Sequence, residues 1–194
     1  MGDAAEKLSR RATWADLEAV PTHLVAEIID GTLYTSPRPA PRHAQAAWAL
    51  GGEFYGAGSP GARGPAGWRI LPEPELRFGP EKQEAMVPDL AGWRLERMPA
   101  LPQQAFITLA PDWVCEILSP STVRFDRTKK MPTYAREGVR HAWLLDPITR
   151  TLEVYTLGAD GRWILAGVQD DGEGPVRAEP FEALELDLTV LWSE

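Results

Sequence analysis

The chain has 194 residues, 44% of them hydrophobic and 25% charged, with a net charge of -8. These totals describe one ordinary globular domain with room for a real core and exclude a disordered chain. They also argue against broad electrostatic attraction to nucleic acid. The charge is uneven, however: residues 170–194 hold eight acids and one arginine, which leaves 20 acids and 19 bases in residues 1–169.

The single cysteine, Cys115, excludes an internal disulfide and fits a reducing cytoplasm, the expected location. It lies in an apolar strand, where a packed thiol is expected rather than a nucleophile. No apolar run is long enough to span a bilayer, so no membrane association is expected. The opening MGDAAEKLSR lacks a secretory hydrophobic region, and Glu6 spoils the myristoylation pattern that Gly2 would begin. Residues 1–12 are read as a tail and 13–194 as the domain.

In chain order, Thr13 caps a short helix from Trp14 to Val20 that Pro21 ends. Leu24 to Ile29 and Thr32 to Thr35 flank Asp30-Gly31 and predict a hairpin. Glu27 lies in the first of these strands, and its pattern suggests a solvent-facing position. Residues 36–42 read as a proline-rich loop, after which His43 opens a helix over Ala44 to Tyr55, as a cap or surface residue by position alone. Gly56 to Gly67 is a loop. Trp68 to Leu71 and Glu75 to Phe78 read as a hairpin or as one bent strand, with Pro72 and Pro74 excluded from a sheet centre. Gly79 to Ala85 reads as a charged turn, and Met86 to Trp93 as one strand with Asp89 inside it.

The stretch from Ala110 to Tyr155 predicts strand, turn, helix, strand. Alternation along Trp113 to Leu118 puts Val114, Glu116 and Leu118 on one face and Trp113, Cys115 and Ile117 on the other. A carboxylate in a buried strand is costly unless a cation compensates it. If Asp89 and Glu116 lie on adjacent strands, the pair suits a hard cation such as Mg²⁺ or Mn²⁺, and equally a glycosidase acid pair. Lys130 and Tyr134, four apart, share a helix face. A lysine aimed at such acids would pair with them, orient a water, or stabilise developing negative charge; beside Lys129 it also reads as an ordinary exposed lysine. Gly138 ends this helix, and Val139 to Leu145 is a second apolar strand. Leu152 to Leu157 and Arg162 to Val168 predict a further hairpin, and Leu184, Leu186, Leu188, Leu191 and Trp192 make an apolar end able to dock. The eight tryptophans are expected in the core.

The pieces AEIIDGTLY, PRH, VPDLAGW, PDWVCEILSPST, DRTKKMPTY and EGVRHAWLLDP, in this order, resemble the "putative restriction endonuclease" family of the PD-(D/E)XK nuclease superfamily, a large bacterial family expanded in cyanobacteria. The resemblance runs from about Thr13 to Leu191. It implies an α/β fold, a mixed sheet flanked by helices in a single domain, and metal-dependent hydrolysis of DNA phosphodiesters. It carries Asp89 over as the acid of the Pro-Asp motif and Glu116 as the second acid, both binding Mg²⁺ or Mn²⁺ with help from the Ile117 carbonyl. The superfamily's usual lysine falls at position 118, which is Leu118 here, and its role maps to Lys130 on the next helix. Glu27 and His43 match further family positions, Glu27 as an outer ligand or base. Pro111-Asp112 also spells Pro-Asp but lies too close to Glu116 to serve. Pro132 interrupts the helix that carries Lys130, so that helix kinks or starts near Met131.

A homodimer is expected because cutting both strands of a duplex is simplest with two sites, and the C-terminal apolar residues are the candidate surface. Two alternatives stand beside the nuclease reading. One is a non-catalytic nuclease-fold module that binds nucleic acid or protein; the other is a different hydrolase using the same carboxylates.

Overall fold

A computed structural model of the chain describes residues 4–6, 10–56, 65–79, 81, 83–172 and 174–192. Its strands are β1 (Ala4–Glu6), β2 (Leu24–Ile29), β3 (Thr32–Pro37), β4 (Trp68–Pro72), β5 (Leu76–Phe78), β6 (Glu84–Met86), β7 (Leu90–Arg94), β8 (Trp113–Ile117), β9 (His141–Asp146), β10 (Thr151–Leu157) and β11 (Trp163–Asp170). The helices are α1 (Trp14–Glu18), α2 (Pro41–Gly56), α3 (Val123–Phe125) and α4 (Met131–Arg136), the last two joined by a π-helical turn at Asp126–Lys130. A short 3₁₀ helix spans Leu188–Trp192.

The strands form two sheets rather than the one expected. A five-stranded sheet runs β1-β3-β2-β6-β5 and a six-stranded sheet runs β11-β10-β9-β8-β7-β4. Among the named strands every pairing is antiparallel except that of β8 with β9, the parallel pair that needs the helical crossover between them. The β2–β3 turn takes positive φ at both Asp30 (52°) and Gly31 (75°), the conformation an Asp-Gly hairpin favours.

Two strand expectations fail for the same reason. The run from Met86 to Trp93 is not one strand: β6 ends at Met86, Val87-Pro88-Asp89 crosses between sheets, and β7 starts at Leu90. Proline has no N–H for the ladder, so the sheet breaks at Pro88 and Asp89 falls just before a strand rather than inside one. Likewise β4 and β5 form neither a hairpin nor one strand; they lie in different sheets, with Pro74 in the crossing. Pro72 pairs with Leu90 on the edge strand β4. The loop at 36–42 is shorter than expected, because β3 runs to Pro37 and α2 starts at Pro41. Most of the Gly56 to Gly67 loop lies outside the described residues.

Alternation in β8 sorts its side chains between two cores. Trp113, Cys115 and Ile117 pack with Ala46, Leu50 and Phe54 of α2 and with Leu186, Leu188 and Leu191. The C-terminal apolar residues are therefore consumed by the chain's own core, and the surface suggested for a dimer is internal. On the opposite face, Val114 and Leu118 pack with Phe125, Met131 and Tyr134 of the crossover and with Ile29, Leu76 and Met86 of the other sheet. Rings fill the first core, with Trp113 and Trp143 edge to face at 5.2 Å. Trp48, on the outer face of α2, is 80% exposed and departs from the expectation for tryptophans.

Candidate functional site

Glu116 stands in mid-strand on the β8 face that looks toward the crossover helix and is 2% exposed. Both its oxygens are engaged. Tyr134 donates its hydroxyl to Oε1, and Lys130 Nζ lies 3.0 Å from Oε2. The shared helix face expected for Lys130 and Tyr134 is thus realised, one side chain on each oxygen.

Pro132 does not deflect Lys130. The segment before it is wound as a π-helical turn, with the Met131 amide bonded to the Asp126 carbonyl, and α4 begins at Met131 with Pro132 in its first turn. The proline thus follows directly on the wide turn, where the hydrogen-bond ladder has already shifted by one residue. The wide turn is where Asp126 and Lys130, both buried, face the same side of the helix. Gly138 stops the helix at φ 79°.

Lys130 collects partners from three elements: the Val87 carbonyl at 3.0 Å, Glu116 at 3.0 Å, Glu27 at 3.2 Å and Asp126 at 4.0 Å. Glu27 is not solvent-facing as its pattern suggested. It is 5% exposed and accepts the Val87 amide at 2.9 Å. The strand that carries it is covered on both sides: Ile28 packs beneath α1, while Ile29, two residues from Glu27, enters the inter-sheet core. The apolar neighbours Val25 and Ile29 share a face with Glu27 and are the signal that could have placed it inside.

Asp89 reaches the same cavity from the sheet crossing. Its Oδ2 accepts the Ile117 amide at 2.6 Å and lies 3.1 Å from His43 Nε2. Leu90 pairs with Cys115, so Asp89 sits at the end of β7 beside Glu116 on the neighbouring strand. His43 is in the first turn of α2 and half-buried rather than a surface residue, and its Nδ1 is buried without a partner. Glu27, His43, Asp89, Glu116, Asp126 and Lys130 together line a cavity of about 380 Å³ between the sheets, with Arg38, Ser119, Ser121 and Thr122 also on its wall. Two other acids noted in the sequence lie elsewhere: Glu75 pairs with Arg77 at 2.6 Å, and Asp112 pairs with Arg97 at 2.6 Å.

Asp126 was not anticipated, although its spacing of four from Lys130 was readable. It is 3% exposed. Burial pushes its carboxyl up to about 6, against the pull of Lys130. Burial also raises Glu27 and raises Glu116 well above the ordinary range, with the neighbouring acids adding to the shift. Burial alone would lower Lys130, but Glu116, Glu27, Asp126 and Asp89 together hold it well above its usual value. The causes differ: burial comes first in raising Glu27, Glu116 and Asp126, whereas Lys130 is raised by the carboxylates around it against burial. Burial likewise disfavours protonated His43, yet the bond to Asp89 raises it overall.

Carboxylate oxygens are the class of donor that Mg²⁺ and Mn²⁺ take. The donor set is not already assembled as a ligand shell, and among the described residues no three of His, Cys, Asp and Glu stand arranged around one point. Glu116 would have to exchange Lys130 for a cation.

Fold and cavity define a single α/β domain in which two sheets meet around a buried carboxylate-lysine centre. The chain belongs to the Uma2 family, described as putative restriction endonuclease, whose model matches residues 14–190. Among solved structures, it is similar to a crystal structure described as a putative nuclease from Anabaena variabilis, with 24% identity over 93% of this chain and 97% of that one and a TM-score of 0.73. No curated protein matches the chain. No helix among the described residues is long and apolar enough to cross a membrane.

Proposed function

We propose that the protein is a metal-dependent DNA endonuclease that hydrolyses phosphodiester bonds. The observation that carries this reading is the under-neutralised cavity: Glu27, Asp89, Glu116 and Asp126 around Lys130, in a chain of a family described as putative restriction endonuclease. Asp89 and Glu116 would hold Mg²⁺ or Mn²⁺, with the Ile117 carbonyl at the end of β8 as a further oxygen donor. When bound, the cation supplies Lewis acidity, acidifying water and neutralising phosphoryl charge.

The chain's own residues account for the rest. In the reaction, water oxygen bonds to phosphorus, the P–O ester bond breaks, and a proton reaches the departing oxygen. Lys130, kept cationic by its carboxylates, stabilises the extra negative charge on the phosphoryl group or positions the attacking water. Tyr134 fixes the orientation of Glu116. His43 and the Ile117 amide hold Asp89. Glu27, held by the Val87 amide, acts as an outer ligand or as the base that receives the water's proton. Arg38 on the cavity wall, 58% exposed in its side chain, donates to the Thr22 carbonyl at 3.1 Å and lies 3.8 Å from Glu73, partners it would exchange for a backbone phosphate. A homodimer, giving one site per DNA strand, remains part of this proposal.

The second reading is a nuclease-fold module that binds without cutting. It is favoured by the occupation of both Glu116 oxygens by protein groups and by the net charge of -8. Nicking of supercoiled plasmid with Mg²⁺ or Mn²⁺ at low salt separates the two. The nuclease reading expects cleavage that chelation stops and Glu116→Ala abolishes. Plasmid left intact by wild type with either metal would leave the binding module as the function.

A further inference from the structure

Lys130 has three N–H bonds and three acceptors within hydrogen-bond reach: the Val87 carbonyl, Glu116 and Glu27. Asp126 is a fourth acceptor, 4.0 Å from Nζ, too far for a hydrogen bond and close enough for an ion pair. Asp126 is buried on the π-helical turn, one turn before Lys130, and it lines the same cavity. A displacement of Nζ by roughly 1 Å would close the remaining gap. Glu116 has no oxygen free of a protein partner, so anything cationic that approaches it competes with Lys130.

We infer that Asp126 is a positioning residue: it receives the Lys130 ammonium when Glu116 turns to a divalent cation, and so converts a lysine-plugged site into a cation-accepting one. This rests on the metal-dependent reading above. The movement conserves the ion pairing of Lys130 itself, while the entering cation adds two positive charges to a cavity that holds Glu27, Asp89, Glu116 and Asp126. One ion pair replaces another within a few ångströms, and Lys130 remains buried among carboxylates throughout. Without Asp126, Lys130 could release Glu116 only by giving up a buried charge-assisted bond with no replacement, which is strongly unfavourable. The same movement keeps the ammonium inside the cavity, where the proposed phosphoryl charge would develop. Asp126 acts on the cation through Lys130 and need not touch it.

The test is a double-mutant cycle read by Mn²⁺ binding, using calorimetry or the electron spin resonance of free Mn²⁺, without DNA. Asp126→Asn keeps the shape and the hydrogen-bonding capacity but not the charge, so Lys130 stays on Glu116. Its Mn²⁺ affinity should fall by about ten- to a hundred-fold, the range for losing an outer partner of a metal site. Adding Lys130→Met to Asp126→Asn should restore affinity to within a few-fold of wild type, because the competing ammonium is gone. Asp126→Glu should rescue part of the loss. If Asp126→Asn binds Mn²⁺ as tightly as wild type, the inference is overturned. If the double variant binds as weakly as Asp126→Asn alone, Asp126 is itself a cation ligand or a fold element, and the inference is again overturned. Wild type that binds no Mn²⁺ would overturn the metal-dependent function together with the inference, whereas loss confined to the variants' pattern overturns the inference alone.

Discussion

The carboxylate of Asp89 accepts the backbone amide of Ile117 at 2.6 Å, which clips the crossing between the two sheets to the strand that presents Glu116. One residue thus serves the fold through Oδ2 and also lines the cavity. The two duties separate by substitution. Asp89→Asn retains an oxygen for the Ile117 amide while losing the charge, so it should abolish metal-dependent cleavage with little change in melting temperature. Asp89→Ala leaves that amide and His43 without their acceptor and should also destabilise the fold, by about 1–3 kcal/mol. Urea unfolding of both variants beside a plasmid-nicking assay checks the separation. Equal destabilisation by Asn and Ala would contradict it.

Lys130 and Lys129 are adjacent in sequence and unlike in setting. Lys130 is 6% exposed among carboxylates, whereas the Lys129 side chain, one step earlier on the π-helical turn, is part-exposed. Lys130→Ala should slow cleavage by ~10²-fold or more. It should also destabilise the fold, by about 3–5 kcal/mol, because buried carboxylates lose their counter-charge. Lys129→Ala should do neither. Cleavage rates and melting temperatures of the two variants, measured together, decide the matter; equal rates would remove Lys130 from the proposed mechanism.

Cys115 lies on the β8 face opposite Glu116, fully buried, and burial raises its thiol well above the ordinary range. Both features suppress the thiolate that reacts with labelling reagents. Native protein should therefore resist a thiol reagent, and denatured protein should be labelled at one site per chain. Rapid labelling of the native form would mean that the α2 side of the sheet opens readily.

What the sequence made legible follows from where periodicity is strong. Alternation in Trp113 to Leu118 divided the β8 side chains between the two cores correctly, because that strand is covered on both faces by elements of one chain. The Asp-Gly and Gly-rich turns placed both hairpins, because positive φ demands particular residues. Spacing of four put Lys130 and Tyr134 on one carboxylate. What was lost depended on contacts distant in sequence. MVPDLAGW carries no mark that its halves join different sheets, apart from a proline that also suits an edge strand. Glu27 read as exposed because its charge outweighed the apolar neighbours Val25 and Ile29 on its face of β2, and only the fold supplies the layer above that face. The C-terminal leucines read as a surface because nothing local shows that α2 lies against them. Asp126 needed the π-helical turn, whose hydrogen-bond pattern no residue preference announces.

The docking of those leucines changes the expectation for assembly. Leu188 and Leu191 are 1% and 2% exposed within the chain itself. Leu188→Ala should therefore lower stability, by about 2–5 kcal/mol, as a buried truncation does. It should leave the oligomeric state of the folded protein unchanged. Light scattering with chemical denaturation tests both halves. A dimer that dissociates in Leu188→Ala without loss of stability would restore the C-terminal segment as an interface.

Asp126 also predicts how stability should depend on pH in the metal-free protein. Its carboxyl is raised by burial from 3.8 to about 6, so the folded state binds this proton more tightly than the unfolded state does. A raised group contributes stability that is fully present below its ordinary value and is lost as pH climbs through the raised one. For Asp126 the window runs from 3.8 to about 6. Above it, the fold must bury a charge that Lys130, shared with Glu116 and Glu27, only partly offsets. Asp126→Asn has no such charge at any pH, and its removal also relieves the like-charge pressure on Glu116 in the same direction. The difference in stability, variant minus wild type, should therefore rise with pH across that window and level off above it. Glu27 and Glu116 titrate in both proteins, so the subtraction leaves what Asp126 contributes itself and through its coupling to Glu116. Urea unfolding of both proteins in chelator, at several pH values spanning the window, measures the difference directly. A difference that stays flat, or that falls with pH, would mean that Asp126 is already fully compensated in the folded state and that the cavity is less short of positive charge than its residues imply.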